Sequence, residues 1–194
     1  MRLGLISDTH GLFDERLPPL FVGVDAILHA GDVGSPAILD RLALIAPTRA
    51  VRGNVDSSAF ELPPSLLFEA GSVRIEVRHI VPASTAQLHA WSEDRSSSRK
   101  PVASRDRLLT AFSPHTQAVI FGHSHQPGIY LVGGPLLINP GSAGPRRFSL
   151  PRSCAVMDVG RSGAEVKIFS LEDYNLLMRK SVRFGPGGFA SCLR

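Results

Sequence analysis

Short runs of apolar and β-branched residues recur along the chain and end at polar side chains. The runs cover residues 3–6, 26–28, 49–51 and 119–121, and their composition predicts buried β-strands. Glycines at the strand ends, such as Gly31, Gly53 and Gly122, allow the backbone to turn sharply. We therefore expect the polar residues that follow to line one crevice. In chain order they are Asp8, His10, His29, Asp32, Asn54, His123 and His125.

The first third of the chain alternates these strands with helical patterns, which indicates an α/β sheet with crossover helices. One helix is predicted to begin at Pro36, with Ser35 as its N-cap, because serine can accept the free amides and proline suits the first helical position. An apolar stripe at helical spacing follows, formed by Ile38, Leu39, Leu42 and Ile45.

Three β-hairpins are predicted in the rest of the chain, each around a turn that contains glycine. They pair residues 66–69 with 73–77, residues 128–132 with 136–139, and residues 154–159 with 164–169. We therefore expect two sheets, one built mainly from each half of the chain, packed face to face with helices outside.

The chain of 194 residues is 43% hydrophobic, which suits one domain with one substantial core. We assign residues 1–170 to this domain and residues 171–194 to a C-terminal extension. Leu171, Tyr174, Met178 and Val182 fall on one helical face, expected to pack on the domain or on a second subunit of a homo-oligomer. The Gly/Pro-rich residues 185–188 predict a flexible tail.

Charge and cysteine content narrow the function classes. The formal net charge is +4, but the basic residues form no long block, which favours a solvated surface over a dedicated polyanion site. The apolar runs are too short to span a bilayer and no signal peptide precedes the first strand, so we expect a cytoplasmic protein without a membrane partner. Cys154 and Cys192 form neither a zinc-binding pair nor a disulfide framework.

The polar strand ends offer carboxylate, imidazole and amide donors without a thiolate, a set that suits Mn, Fe or Zn. Six such donors are too many for one open catalytic ion. They predict two ions about 3.5–4 Å apart that share one carboxylate. Asp32 is the natural bridge, because Asp8 and His10 already form a local pair. The six donors are Asp8, His10, Asp32, Asn54, His123 and His125.

Each motif taken alone has an ordinary structural explanation. An Asp-x-His sequence after a strand is commonly a polar turn, Gly-Asp and Gly-Asn are turn dipeptides, and paired histidines occur on surfaces. Four strand ends that imitate ligands by accident, in this order, are far less expected than a real site.

The motifs also resemble those of a known family, the calcineurin-like metallophosphoesterases. The matching segments are Asp8-Thr9-His10, Gly31-Asp32, Gly53-Asn54-Val55-Asp56 and Gly122-His123-Ser124-His125. Three further segments resemble the small bacterial and archaeal phosphodiesterases of the YfcE and MJ0936 type, namely residues 29–33, 52–56 and 139–142. The resemblance covers about residues 1–169. It implies a four-layer α/β/β/α sandwich of two mixed β-sheets flanked by helices, with a dinuclear site at the strand ends.

The resemblance also implies the ligands. One ion is expected on Asp8, His10, Asp32 and His125, and the other on Asp32, Asn54, His123 and one further histidine. That histidine should follow the strand at residues 73–77, which points to His79, with His89 as the nearby substitute. The family usually has Thr-His-Gly at this position, where this chain has Arg78-His79-Ile80. Asp32, Asn54 and His123 are the predicted catalytic residues.

Two further residues are candidates for supporting roles. His29 precedes Gly31-Asp32 and either orients a metal ligand or is simply a core histidine. Asp56 either lies beside the substrate or caps a loop. Compared with the compact family pattern, the chain also has extra residues between His79 and Gly122, which form either an insertion over the site or a surface loop without a role.

The predicted activity is hydrolysis of a phosphodiester, including nucleotide-derived diesters, by direct attack of a metal-bridging hydroxide on phosphorus. The expected cofactors are two divalent transition-metal ions, Mn first, with Fe, Zn and Ni as alternatives. Protein phosphatases of the superfamily place a histidine after the Gly-Asn pair, thought to protonate the leaving group, and this chain has Val55. Two alternatives stay open: a phosphomonoesterase or protein phosphatase, and a metal-free interaction scaffold like the retromer subunit Vps29.

Overall fold

Two β-sheets form the framework of the protein, whose computed structural model describes residues 1–93, 103–147, 149–185 and 188–191. The strands of the first sheet are β1 (Arg2–Ile6), β2 (Ala26–His29), β3 (Thr48–Ala50), β9 (Ser153–Val159), β10 (Gly163–Ser170), β11 (Leu176–Gly185) and β12 (Gly188–Ser191). Those of the second sheet are β4 (Ser65–Ala70), β5 (Val73–Arg78), β6 (Ala118–Ile120), β7 (Gly128–Leu131) and β8 (Leu136–Asn139).

Four α-helices accompany the sheets. They are α1 (Leu17–Leu20), α2 (Pro36–Ala43), α3 (Thr85–Glu93) and α4 (Ala103–Thr110), and a short 3-10 helix covers Ser58–Phe60. The predicted helix at Pro36 is confirmed as α2, with Ile38 and Leu42 buried. Ser35 has the extended backbone of an N-cap, but its side chain makes no capping hydrogen bond. The serine therefore contributes only its backbone conformation at this helix start.

The strand order shows how the two halves of the chain are divided between the sheets. The seven-stranded sheet runs β12-β11-β10-β9-β1-β2-β3, and the five-stranded sheet runs β4-β5-β6-β8-β7. The expectation of one sheet from each half of the chain is therefore wrong, because the N-terminal and C-terminal strands share a sheet and the middle of the chain forms the other. The junction is the antiparallel pairing of β1 with β9, in which Leu3 lies opposite Met157. The three predicted hairpins are confirmed as β4–β5, β7–β8 and β9–β10.

Three apolar cores separate four layers, which confirms the α/β/β/α sandwich. The two sheets face each other through fully buried side chains such as Leu5 and Ile75. The first two helices cover the outer face of the seven-stranded sheet through residues such as Leu17 and Leu42. On the other side, α3 and α4 cover the five-stranded sheet, where Leu88 and Leu108 pack near Val119. Both mixed sheets are thus covered on their outer faces by helices.

The helix predicted after residue 170 is wrong. Residues 176–185 form β11, which pairs antiparallel with β10, and Val182 is only 2% exposed, whereas Tyr174 and Met178 are exposed. Pairing with β10 satisfies the backbone hydrogen-bonding groups along one edge of β11. It also places Val182 of β11 in the core between the sheets, where Phe189 of β12 joins it. Gly185 pairs with Gly188 where β11 lies antiparallel to β12, so both ends of the predicted flexible tail belong to the sheet. Pro186 and Gly187 of that tail lie outside the described residues. The homo-oligomer stays a prediction.

The extra residues between His79 and Gly122 do not form a cover over the strand ends in the part that the structure describes. They supply α3 and α4, the outer layer over the five-stranded sheet. Residues 94–102 of this insertion lie outside the described residues, as do Pro186, Gly187 and Cys192. Cys154 is buried with a free thiol. Among the described helices, none is long and apolar enough to cross a membrane.

Candidate metal centre

The carboxyl ends of β1, β2, β3, β5 and β6 meet at one edge of the sandwich. Backbone hydrogen bonds join neighbouring strand ends: Asp8 N donates to Gly31 O at 3.0 Å in the first sheet, and Gly122 N donates to His79 O at 3.0 Å in the second. A further bond crosses between the sheets, because His123 N lies 3.1 Å from Asp8 Oδ2. Polar residues far apart in sequence are thereby brought together, as the strand-end pattern predicts.

A first donor group consists of Asp8, His10 and His125, whose ligand atoms lie within 4.8 Å of one another. His125 Nε2 is 3.3 Å from Asp8 Oδ1 and 3.3 Å from His10 Nε2. Asp8 is fully buried and His125 is 6% exposed, so water contributes little to solvating either. These are three of the four residues predicted for the first ion.

A second donor group consists of Asp8, Asp32 and His79, again within 4.8 Å. His79 Nε2 lies 3.3 Å from Asp32 Oδ2 and 2.9 Å from Asn54 Oδ1. The same Asn54 oxygen is 2.9 Å from His123 Nδ1. The structure therefore brings all seven predicted ligands into one cluster.

The carboxylates of Asp8 and Asp32 lie between two pairs of histidines. One pair is His10 with His125, and the other is His79 with His123. Asp32 Oδ2 is 3.3 Å from His79 Nε2 and 3.9 Å from His10 Nε2, so one oxygen faces a histidine of each pair. Its other oxygen accepts a hydrogen bond from Val55 N at 3.0 Å. Asp8 belongs to both donor groups. The bridging role of Asp32 stays a prediction.

Five of the predicted ligands have a left-handed backbone. The φ angles are 53° for Asp8, 47° for His10, 54° for Asp32, 69° for His123 and 56° for His125. This conformation is uncommon for residues other than glycine and is found where surrounding structure enforces it, as in functional sites. The ligands themselves therefore turn the chain at the ends of β1, β2 and β6.

The strand-end glycines were predicted to allow sharp turns of the backbone. Only Gly31 among the three fits this role, with a φ of +89°. Gly53 and Gly122 do not have a positive φ. A Cβ on Gly122 would lie 2.6 Å from Asp8 Oδ2, and one on Gly53 would collide with Asp32 Oδ1. These two glycines let a ligand carboxylate approach the backbone closely.

The surroundings shift the pKa values of Asp32, His10 and His79 in different directions. Although burial opposes ionisation, hydrogen bonds from His79 and the Val55 amide lower the pKa of Asp32 to about 2. Burial lowers the pKa of His10 from its usual value, against the opposing charge of Asp32. Burial also acts to lower the pKa of His79, but the hydrogen bonds to Asp32 and Ala30 O and the charges of Asp8 and Asp32 together outweigh it, and the pKa is raised. Asp32 is thus ionised at neutral pH, and protonation of His10 is disfavoured.

The arrangement around His79 fits a metal ion. Its Nδ1 lies 2.8 Å from the carbonyl oxygen of Ala30, which can only accept, so Nδ1 carries a proton. Nε2 carries a second proton when the imidazole is charged, and presents a lone pair when that proton is lost. That lone pair faces Asn54 Oδ1 and Asp32 Oδ2, two further acceptors. Three acceptors require a proton or a cation between them. The donor set, all oxygen and nitrogen, matches divalent Mn, Fe or Zn.

The two candidates for supporting roles lie close to the ligands without pointing at them. His29 is fully buried, accepts a hydrogen bond from Gly31 N at Nδ1 (3.2 Å) and pairs through Nε2 with Thr9 Oγ1 (2.9 Å). Burial lowers its pKa to about 4, so it is neutral at pH 7. Asp56 accepts from Gly34 N and Gly53 N, each at 2.8 Å. His29 steadies the backbone beside the ligands, Asp56 caps a loop, and neither lies free for a substrate.

His89, the alternative second-ion ligand, lies elsewhere. It is in α3, not in the predicted loop, and its ring packs edge-on against Tyr130 at a centroid distance of 4.9 Å. It belongs to neither donor group. Replacement of the usual glycine by Ile80 does not displace His79, because Ile80 does not need a positive φ.

Asn139, Ser142 and Arg152 support the backbone around the site, and the sequence analysis did not predict this role for them. Asn139 Nδ2 donates to Gly122 O at 2.9 Å, and Ser142 Oγ donates to Asp8 O at 2.9 Å. Arg152 donates to Gly144 O at 2.6 Å and pairs with buried Asp14 at 2.6 Å. The Asn-Pro-Gly-Ser segment after β8 was a signal for the first two, since it carries polar residues at another strand end. Arg152 has no comparable local signal.

Comparisons with known proteins agree with the geometry. The family model of the calcineurin-like phosphoesterase superfamily domain matches residues 1–162. A protein named a probable metallophosphoesterase from Methanothermobacter thermautotrophicus is 34% identical over 160 residues, covering 78% of this chain and 82% of the relative. The YfcE phosphoesterase of E. coli shares the fold with a TM-score of 0.64 and 22% identity, over 92% of this chain and 98% of that one.

The fold also occurs in Vps29. The Chaetomium thermophilum protein superposes with a TM-score of 0.69 at 19% identity, over 96% of this chain and 98% of its own. At that identity the likeness concerns the fold alone. The match over residues 1–162 covers most of the chain and includes every ligand of both donor groups. The chain therefore belongs to the calcineurin-like phosphoesterase superfamily.

Proposed function

We propose that the protein is a dinuclear metal-dependent phosphodiesterase that hydrolyses diesters by direct attack of water on phosphorus. The observation that carries the proposal is the pair of donor groups that share Asp8, with one Asp32 oxygen facing His79 and His10. Membership of a phosphoesterase superfamily supplies the reaction class. Nucleotide-derived diesters are the physiological substrate class that we propose.

We propose Mn as the resident metal, with Fe, Zn or Ni as the competing choices, because imidazole, amide and carboxylate donors suit all of them. Two bound divalent ions would supply Lewis acidity that lowers the pKa of a coordinated water and stabilises charge on the phosphoryl oxygens. The Asp8 and Asp32 carboxylates would balance part of that charge.

No covalent intermediate on the protein is needed, because the hydroxyls beside the ligands are engaged in the fold. Thr9 Oγ1 lies 3.0 Å from Val33 O, to which it donates. Ser124 Oγ accepts hydrogen bonds from Asn139 Nδ2 at 3.1 Å and from Gln126 N at 3.4 Å. Water is therefore the nucleophile that this site favours.

Diesters with good leaving groups are favoured because the residue after Asn54 cannot donate a proton. Val55 occupies that place with a side chain that is 56% exposed. The neighbouring Asp56 uses both carboxylate oxygens to accept backbone amides. Aryl and strained cyclic diesters depend least on protonation of the departing oxygen.

Matched aryl substrates test this proposal. The protein loaded with Mn is assayed on bis(p-nitrophenyl) phosphate and on p-nitrophenyl phosphate, before and after treatment with a chelator. We expect a higher kcat/KM for the diester and loss of turnover when the metal is removed.

The alternatives predict other results. A higher kcat/KM for the monoester would replace the proposal with a phosphomonoesterase. Turnover that survives complete metal removal would overturn the metal-dependent mechanism. A protein that binds no Mn, Fe, Zn or Ni and hydrolyses neither ester would support the metal-free interaction scaffold instead.

A further inference from the structure

A cavity of about 320 Å³ opens beside the second donor group. Its walls include the two ligands Asn54 and His79, together with Arg52, Ser65 and Arg78. The volume lies at the lower end of the range of small-molecule pockets. Because two ligands line the cavity directly, a substituent on a phosphorus atom held at the metal centre can extend into it. We call this space the Arg52 cavity.

The two arginines of the Arg52 cavity differ in their partners. The Arg78 guanidinium pairs with buried Glu76 at 2.8 Å and donates to Ala111 O at 3.1 Å, so its charge is compensated within the fold. The Arg52 side chain is exposed, and among the described residues it forms no ion pair and no hydrogen bond. Arg52 is therefore the uncompensated cation of this cavity.

The backbone that carries Arg52 is fixed, although its side chain is free. Arg52 N donates to Pro63 O at 2.8 Å, and the next amide, Gly53 N, donates to Asp56 Oδ2 at 2.8 Å. The guanidinium therefore extends from an anchored point next to the ligand Asn54. A free planar guanidinium next to a phosphoester site can bind a second phosphate with two parallel hydrogen bonds.

We propose that the Arg52 cavity binds one ester substituent of the substrate and that Arg52 binds a second phosphate group carried on that substituent. The inference rests on the proposed phosphodiesterase function and adds a substrate class: diesters of phosphorylated nucleosides. Arg52 is a specificity-determining residue in this scheme, because it contacts the distal phosphate and not the phosphorus that reacts.

Two synthetic diesters that differ in one distal phosphate test the proposal. They are thymidine 5′-(p-nitrophenyl phosphate) and the same compound with a 3′-phosphate. Wild type should show a kcat/KM about tenfold or more higher for the 3′-phosphorylated diester, and Arg52→Gln should lower that ratio to about one. Arg49→Gln, at an exposed position of β3, is the matched control and should keep the wild-type ratio.

A binding measurement makes the test independent of turnover. Thymidine 3′,5′-bisphosphate and thymidine 5′-phosphate are titrated calorimetrically into the Mn-loaded wild type and both variants. Tighter binding of the bisphosphate that disappears only in Arg52→Gln supports the inference, even if neither diester is hydrolysed, a result that would count against the proposed function alone. Equal affinities in wild type, or a preference that survives in Arg52→Gln, would overturn the inference and leave the proposed function untouched.

Discussion

His79 Nε2 and Asp32 Oδ2 lie 3.3 Å apart in the core of the site, and both side chains are almost fully buried. The contact joins the two sheets, because His79 follows β5 and Asp32 follows β2. Nδ1 of the same imidazole is bound to Ala30 O, which fixes the ring with Nε2 toward the carboxylate. This contact fixes two of the predicted ligands of the second ion relative to each other.

We predict that His79→Ala lowers Mn affinity at the second site at least ten- to a hundredfold, by comparison with the measured cost of disturbing groups that only support a ligand. In the proposed site His79 supplies a ligand nitrogen, and its Nε2 lies 2.9 Å from Asn54 Oδ1, another predicted ligand. Isothermal titration with Mn measures the affinity and stoichiometry.

His89→Ala is the matched control, since it removes an exposed histidine of α3 whose ring packs edge-on against Tyr130, away from both donor groups. Its Mn affinity should equal that of wild type. Loss of an ion in His89→Ala with full retention in His79→Ala would show that the second-ion histidine has been assigned wrongly.

The two site carboxylates should differ when they are removed. We predict that Asp32→Ala reduces bound metal below one ion per chain, because its Oδ2 faces both histidine pairs, whereas Asp8→Ala retains about one ion. Metal content after dialysis, measured by mass spectrometry, distinguishes the variants. The reverse order would make Asp8, which belongs to both donor groups, the bridging ligand.

Local sequence patterns were sufficient to predict that these polar residues lie together, because they follow the ends of apolar strands. His123 and His125 follow Val119 and Ile120, which are fully buried as that run predicts. The conformation of these ligands was not predictable in the same way. Their positive φ angles are enforced by contacts such as His123 N with Asp8, which connect distant parts of the chain.

The C-terminal strands show where periodicity misleads. Met178 and Val182 are four residues apart, a spacing that suits a helix, yet Met178 is 37% exposed and Val182 is 2% exposed. Their state is decided by pairing: Lys180 lies opposite Val166 on β10, and Phe189 adds to the core from β12. A long-range partner outweighs a weak local preference in this segment.

Asp14 should stabilise the protein in a pH-dependent manner. Hydrogen bonds from Arg16, with the charge of Arg152 nearby, lower its pKa from 3.8 to about 2 against the opposing effect of burial. Because the pKa is lower in the folded state, the stabilisation is fully present above about pH 4 and is lost as the pH falls toward about 2. The ionised Asp14 carboxylate contributes about 2 kcal/mol to the free energy of unfolding.

We predict that Asp14→Asn lowers the free energy of unfolding of the metal-free protein by about that amount at pH 7 and by little near pH 2. Urea unfolding at both pH values measures the difference. Asp158→Asn is the control, because its partner Arg2 lies 3.9 Å away on an exposed surface, and it should cost about 0–1 kcal/mol. Equal destabilisation by Asp14→Asn at both pH values would mean that lost packing, not the ion pairs, explains its effect.

The missing proton donor can be supplied by one substitution, Val55→His. The Val55 side chain is 56% exposed and its backbone amide holds Asp32 Oδ1 at 3.0 Å, a bond that the substitution keeps. We predict an increase in kcat/KM of about tenfold or more for an alkyl monoester, whose leaving oxygen needs a proton, and a smaller change for p-nitrophenyl phosphate.

The pH dependence of the gain in kcat/KM distinguishes a general acid at position 55 from an effect of side-chain shape alone. A general acid works in its protonated form, so the gain from Val55→His should be larger at pH 6 than at pH 8, given the usual histidine pKa of about 6.5. Val55→Gln gives a polar side chain of comparable length without an ionisable proton, and should show no such gain. An equal increase in Val55→Gln, or a gain that does not change between the two pH values, would show that Val55 limits the reaction through space and not through the absence of a proton donor.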